Sequence, residues 1–238
     1  GNRIGINANG DALGNCIGVS VGNNAVNTRI GTNGDGVSDE LERNIISSNT
    51  SYGLSLAGQP EFYGQFGTHV AGNYFGVGLD GTTNRANLGS AIYMQYRVQD
   101  VTIGVNGDGS AGEANEGNVI ANSGATCNSS YGIRIRGLGY NQTRDIKIAG
   151  NLIGLNASGA NAGNIGGGIS IENGPNNLLI GTDSDGVSDA LERNIIGGHT
   201  RQDTGCFPAS YRAGIIIDGG LSGIERTNTI TISNNYLG

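Results

Sequence analysis

A stretch of the same length and nearly the same wording occurs twice in this chain: IGTNGDGVSDELERNII from Ile30 to Ile46, and IGTDSDGVSDALERNII from Ile180 to Ile196. Between them lies a decayed version, IGVNGDGSAGEANEGNVI, from Ile103 to Ile120. A second landmark keeps step with the first: GNRIGINANGDALGN from Gly1, GNYFGVGLDGTTNRANLG from Gly72, GNLIGLNASGANAGNIGGG from Gly150 and NNYLG from Asn234. The starts at 1, 72, 150 and 234 divide the chain into three imperfect units, 1–71, 72–149 and 150–233, spanning 71, 78 and 84 residues, with a fourth beginning at 234–238. Constant landmarks with variable spacing mark an array of stacked units that tolerates insertions in its loops.

Within each unit the apolar residues form short alternating tracts bounded by Gly, Asn and Asp, such as GVSV at 18–21, GLSL at 53–56, GIRI at 132–135 and GISI at 168–171. Each is too short for a helix, and period-two alternation sends one side of a strand to a core and the other to water. Composition agrees. Glycine numbers 45 of 238 residues, Lys plus Arg only 13, lysine occurs once, at Lys147, and tryptophan is absent, so the residues that fill long helices are scarce. Glycine has no strict three-residue period, which excludes collagen, and Ile and Val tracts run throughout, which excludes disorder.

The inward Ile, Val and Leu set recurs so that each member can stack on its equivalent one coil away, which favours a helix of strands over a flat sandwich. Markers near 18, 53, 90, 132, 168 and 214 predict about six coils, a rod of about 30 Å at about 4.8 Å per coil. The surplus residues are expected chiefly in loops at 57–68, 122–131 and 198–212. Asn44, Asn118 and Asn194, each beside a strand, suit turns stabilised by their own side chains or by an amide ladder. These GNYIG-like, GVSI-like, NTIG-like and GNVIS-like tracts resemble the right-handed parallel β-helix repeats of large secreted bacterial surface proteins, the pectate-lyase-like architecture. The resemblance covers essentially the whole chain and implies one all-β solenoid domain over 1–238. It implies little about activity, because that architecture serves lyases, hydrolases, tailspikes, adhesins and inert stalks.

A net charge of −7 and a pI near 4.7 leave no basic stripe, so a nucleic-acid partner is excluded. No apolar run reaches the roughly 20 residues of a membrane span, and GNRIGINANG at the start lacks the regions of an export signal. The Asn-, Gly-, Ser- and Thr-rich, lysine-poor composition points to a secreted or cell-surface location. Cys16, Cys127 and Cys206 make an odd count, leaving a free thiol or an intermolecular bridge, and their spacing fits no metal site.

The most specific chemical pattern is Asp183-Ser-Asp185-Gly186-Val-Ser-Asp189-Ala-Leu-Glu192, repeated as Asn33, Asp35, Gly36, Asp39 and Glu42. It resembles the calcium loops of thrombospondin type 3 repeats and EF-hands, where alternate oxygens, a turn glycine and a later carboxylate surround a hard cation. Gly31 and Gly181 stand where that family carries its first aspartate, and the middle copy keeps Asn106, Asp108 and Gly109 while showing Gly112 and Asn115 at the later acid positions. The alternative, and the stronger, reading is a polar turn in which Asp39 or Asp189 caps a one-turn helix.

No catalytic constellation emerges. Asp100, Asp145 and Asp218 border strands, with Arg134, Arg136 and Arg212 as candidate bases, but Asp100 and Asp145 occupy matching places in their repeats. That marks architecture rather than one active site. An ice-binding threonine ladder is absent, since Thr229 and Thr231 have no counterparts in GTHVAG or TRDIKIAG. Tyr52, Tyr63, Phe66, Tyr93, Tyr96, Tyr131 and Tyr211 fit better as a roof over core or a contact surface than as a glycan platform. Sequons occur at Asn49, Asn128, Asn141 and Asn156. The chain starts and stops at the same point in its repeat, so head-to-tail self-association or flanking repeats of a longer chain are expected. The sequence-level expectation is therefore an extracellular structural repeat protein, filament-forming or stalk-like, with a carbohydrate- or surface-binding adhesin segment as the alternative.

Overall fold

The computed structural model describes residues 1–59, 64–124, 130–137, 143–199, 213–219 and 227–238. The chain winds as a right-handed parallel β-helix with three faces. The first face is a seven-stranded sheet of two-residue strands: β1 (Arg3–Ile4), β4 (Ile45–Ile46), β7 (Tyr74–Phe75), β10 (Val119–Ile120), β13 (Leu152–Ile153), β16 (Ile195–Ile196) and β19 (Tyr236–Leu237). The second holds β2 (Val19–Gly22), β5 (Leu54–Ala57), β8 (Ile92–Gln95), β11 (Ile133–Arg136), β14 (Ile169–Glu172) and β17 (Ile215–Asp218). The third holds β3 (Arg29–Gly31), β6 (Gln65–Ala71), β9 (Val98–Gly104), β12 (Arg144–Ala149), β15 (Asn176–Gly181) and β18 (Asn228–Ser233). Six parallel steps separate the seven strands of the first face, a rise of about 29 Å.

Stacking of like on like builds the core. Ile46, Phe75, Ile120, Ile153 and Ile196 form one column inside the first face. Leu56, Met94, Ile135 and Ile171 form another, and Val70, Ile103, Ile148 and Ile180 a third, all fully buried. Each such side chain contributes about 1.5–3 kcal/mol relative to exposure. In the last coil the register equivalents Ile217, Ile232 and Leu237 are exposed at open sheet edges.

The corner between third and first faces carries an asparagine in every coil. Asn2, Asn44, Asn73, Asn118, Asn151, Asn194 and Asn235 form one continuous ladder, each Nδ2 donating to the next Oδ1 at 2.8–3.1 Å. The same Oδ1 atoms accept the backbone N–H of the preceding asparagine, so each amide pins two coils. The ladder expected from Asn44, Asn118 and Asn194 thus extends to every coil. A second ladder, Asn15, Asn49 and Asn87, runs at the corner before the second face and is continued by Ser123, Asn164 and His199. Asn49 is fully buried in it, which withdraws the first sequon from the surface, whereas Asn128 and Asn141 lie outside the described residues.

Coils alternate in shape, so the sequence repeat of 71–84 residues is two coils rather than one. In even coils the third face turns into the first through two residues, a ladder asparagine preceded by Gly72, Gly150 or Asn234 held at φ 68°, 70° and 58°, a left-handed corner that glycine or asparagine fills at least cost. In odd coils the long acidic turns replace that corner. The same odd coils extrude a small hairpin after the first face, closed by the antiparallel bridges Ile6 to Ala12, Val77 to Asn84 and Leu155 to Asn161. The surplus residues are therefore not confined to the loops at 57–68, 122–131 and 198–212, and strand β6 begins inside the first of these ranges, at Gln65. Between described segments, 200–212 lies outside the description.

Candidate functional site: stacked acidic turns beside a sheet groove

Three acidic turns, 31–44, 104–118 and 181–194, project from the corner between third and first faces at every second coil and pack on one another. Gly112 N donates to Gly34 O at 3.2 Å, Asn115 Nδ2 to Asp39 Oδ2 at 3.2 Å, and Ser188 Oγ to Glu113 Oε2.

Each turn is folded around its own carboxylates. In the first, Asp39 accepts Thr32 Oγ1 at 2.8 Å and Gly36 N at 3.1 Å, Glu42 Oε2 accepts Asn33 N at 2.8 Å, and Asp35 Oδ1 accepts Val37 N at 2.7 Å. The third repeats this with Asp189, Thr182, Gly186, Glu192, Asp183, Asp185 and Val187. The hydroxyl of Thr32, ahead of burial and the other donors, holds Asp39 below the usual carboxylate range. Asp39 is the first residue of a one-turn helix, α1 (Asp39–Glu42), which follows Ser38 at φ 61° with no side-chain cap. The carboxylate closes the turn behind it instead of capping the helix, which corrects the sequence expectation.

The middle turn also departs from what its sequence suggested. Glu116 Oε2 accepts Asn106 N at 2.9 Å and Glu113 Oε2 accepts Gly109 N at 3.1 Å, the bonds that Glu42 and Asp39 make in the first turn. The later acids are therefore retained at Glu113 and Glu116, displaced by one inserted residue, and Gly112 and Asn115 are not their replacements. Both are almost wholly buried, and each has one oxygen, Oε1, without a hydrogen-bond partner. For Glu113 the cause is visible: Val105 stands where Thr32 and Thr182 supply a hydroxyl. Burial first, then the charges of Asp108 and Glu113, push Glu116 up to about 7, against the pull of the Asn106 amide and Arg29.

Asp183, Asp189 and Glu192 bring one oxygen each within 4.8 Å of one another, close enough to share an ion. The side chain that enters the cluster is Lys147 from β12. Its Nζ donates to Glu192 Oε1 at 2.6 Å, Asp183 Oδ2 at 3.0 Å and Asn106 O at 3.0 Å, tying the middle turn to the third. Burial alone would depress the ammonium, but the bonds to Glu192 and Asp183 raise it above its ordinary value, and Lys147 in turn holds Asp183 low. The remaining oxygens accept backbone N–H or Thr182, so calcium fits this turn only by displacing Lys147. In the first turn Asp35, Asp39 and Glu42 form no such convergent group.

Beside the turns, the outer side of the third face forms a groove of about 720 Å³ lined by Asp100, Asp145, Lys147, Asn177, Leu179 and Asp183 among others. Each strand here bulges at one register position, where Asn27, Gly67, Asp100, Asp145, Asn177 and Thr229 all have φ between 52° and 66°. Asp100 and Asp145 therefore share one register position, as their matching places in the sequence repeat implied. Asp145 bonds Arg144 and Asn177. Arg134, Arg136 and Asp218 lie on the second face, away from these acids, and Arg134 grips Glu172 by two bonds of 3.0 and 2.8 Å. Arg212 lies outside the described residues.

On that second face Tyr52 stacks on Tyr93 with ring centroids 4.4 Å apart, and Arg134 lies over Tyr93 and Tyr131 at 6.0 and 5.8 Å. Tyr93 and Tyr131 are buried, which makes them a roof over the sheet. Cys16 is exposed and unbridged, whereas Cys127 and Cys206 lie outside the described residues. No helix is long and apolar enough to cross a membrane among the described residues. Compared with family models, with curated proteins and with solved structures, the chain matches none.

Proposed function

We infer that this chain is a structural segment, a stiff β-helical rod that holds other parts at a distance or stacks into a filament, in a secreted or cell-surface setting. The observation that carries the reading is the unbroken seven-asparagine ladder, paralleled outside the core by the stacked acidic turns and by the hairpins, which Arg85 Nε to Gly10 O at 2.7 Å and Ala157 N to Gly81 O at 3.0 Å join in turn. Three sets of lateral ties run along one axis, and bending the rod strains all of them together.

The alternative is an adhesin segment, favoured by the open groove with its mixed Asp100, Asn177 and Leu179 lining. Neither reading requires calcium, because Lys147 already bonds two of the three convergent acids, Asp183 and Glu192. Electron microscopy of the native material tests the first reading. Straight filaments with an axial repeat of about 29 Å, or a straight rod within a larger particle, support it. Isolated, bendable particles that bind a glycan, with binding lost on filling the groove by Asn177→Trp, replace it with the second.

A further inference from the structure

The two interfaces between stacked acidic turns are built to one plan and differ at one place. Between the middle and third turns, Gly107 lies against Glu192 Oε1, and Lys147 Nζ sits 2.8 Å from where a Cβ on Gly107 would be. Between the first and middle turns, Gly34 lies against Glu116 Oε1 in the same way, but there the three nearest atoms all belong to Glu116. The side chain at the register position of Lys147 two coils earlier is His69. Its Nε2 is 2.8 Å from Gly104 O, and Glu116 Oε1, in a side chain of 0 % exposure, has no partner.

We propose that the interface between the first and middle turns is a binding site for a monovalent cation of the sodium or potassium type, which takes the place filled by the Lys147 ammonium one repeat later. Two observations carry this: the orphaned buried carboxylate oxygen of Glu116, and the repeat-equivalent Glu192 oxygen that holds a positive charge at 2.6 Å.

The donor set fixes the charge of the ligand. The Lys147 site offers two carboxylates and the Asn106 carbonyl. Its counterpart offers Glu116 and, at the position of Asn106, Asn33. Asn106 stands where Asp183 does, and its Nδ2 is turned to Asp108 Oδ2. One carboxylate and neutral oxygens suit a single positive charge, whereas a divalent ion requires more anionic ligands and six or more oxygens. Asp108 and Glu113 add negative potential, and Arg29 opposes it from the first coil.

The test is thermal unfolding of the whole chain at pH 8 in sodium, potassium or choline chloride of equal concentration. The unfolding midpoint should rise by about 3–6 °C in sodium or potassium over choline at a cation concentration near ten times the dissociation constant. His69→Lys, which copies Lys147, should match that gain in choline and respond no further to sodium, and Glu116→Gln should also lose the response. If His69→Lys does not fold, Glu116→Gln alone decides. Equal midpoints of the unaltered chain in all three salts, or an undiminished sodium response in Glu116→Gln, would overturn the proposal.

Discussion

Asn118→Ala cuts the ladder at its middle, and the cost can be worked bond by bond. Asn118 is 1 % exposed, and its side chain accepts from Asn73 N at 2.9 Å and Asn73 Nδ2 at 3.1 Å while donating to Asn151 Oδ1 at 2.9 Å and Val70 O at 2.8 Å. After truncation, Asn73 Nδ2 keeps Ile30 O and Ala71 O, and Asn151 Oδ1 keeps the Asn118 amide. The Asn73 backbone N–H is the group left stranded, at about 2 kcal/mol, and each of the other lost bonds adds roughly 1 kcal/mol. The expected loss is about 4–5 kcal/mol by urea unfolding at constant slope. Asn2→Ala, at the exposed start of the ladder, removes one donor to an oxygen that still accepts Asn2 N, and should cost at most about 1 kcal/mol. Asn118→Asp should be worse than alanine at pH 7, because an anion would then face Asn151 Oδ1 and Val70 O. That difference should shrink on acidification as the carboxyl takes a proton. Equal losses for Asn118→Ala and Asn2→Ala would refute the assignment of the ladder as the rod's main lateral tie.

Lys147→Met should cost about 2–4 kcal/mol in urea unfolding by leaving Glu192, fully buried, beside Asp183 without a counter-charge, and should make stability calcium-dependent where the unaltered protein is indifferent to a chelator. Val105→Thr restores the hydroxyl that Glu113 Oε1 lacks and should raise stability by about 1 kcal/mol in the same assay. His199 is buried in an asparagine ladder position with Nδ1 accepting from Asn164 N at 3.3 Å, and burial lowers its pKa to about 4. Its folded value lies below the ordinary 6.5, so its contribution is present above 6.5 and is lost as pH falls through about 4. His199→Asn should remove this part of the acid sensitivity, read as the urea midpoint at pH 7.5 against pH 4.5.

The coil markers were legible because period-two alternation is a local signal. Expected starts near 53, 132 and 168 match strands opening at Leu54, Ile133 and Ile169 within a residue. The asparagine ladder was legible in part, since Asn44, Asn118 and Asn194 stand in the duplicated turn, whereas Asn73 and Asn151 stand in the short corners of even coils, outside that turn. Lys147 could not be placed from sequence. It lies 36 residues from Asp183 and 45 from Glu192, and only coil register brings its strand between two turns. The retained acids of the middle turn were hidden by one inserted residue, because a gapless alignment sets Gly112 and Asn115 against the acids. A bulged column at the third face was half visible in the matching positions of Asp100 and Asp145, but Asn27, Gly67 and Thr229 share no chemistry that would have joined them to it.

Division of labour between coils follows from this geometry. A ladder of amides and aliphatic columns repeats every coil and needs only small side chains, so it can run without interruption at about 4.8 Å. Acidic turns of fourteen or so residues are too bulky to stack at that spacing, and placing them on every second coil roughly doubles it. That spacing lets turn touch turn, as in the Gly112 to Gly34 bond, but it also stacks carboxylates of like sign along one edge. Each turn therefore turns its carboxylates inward onto its own amides, and the repulsion that remains between neighbours is met by a cation from the intervening even coil, Lys147 in one interface. The even coil is the natural source of that charge, since its two-residue corner leaves the flank of its third-face strand facing the turns above and below.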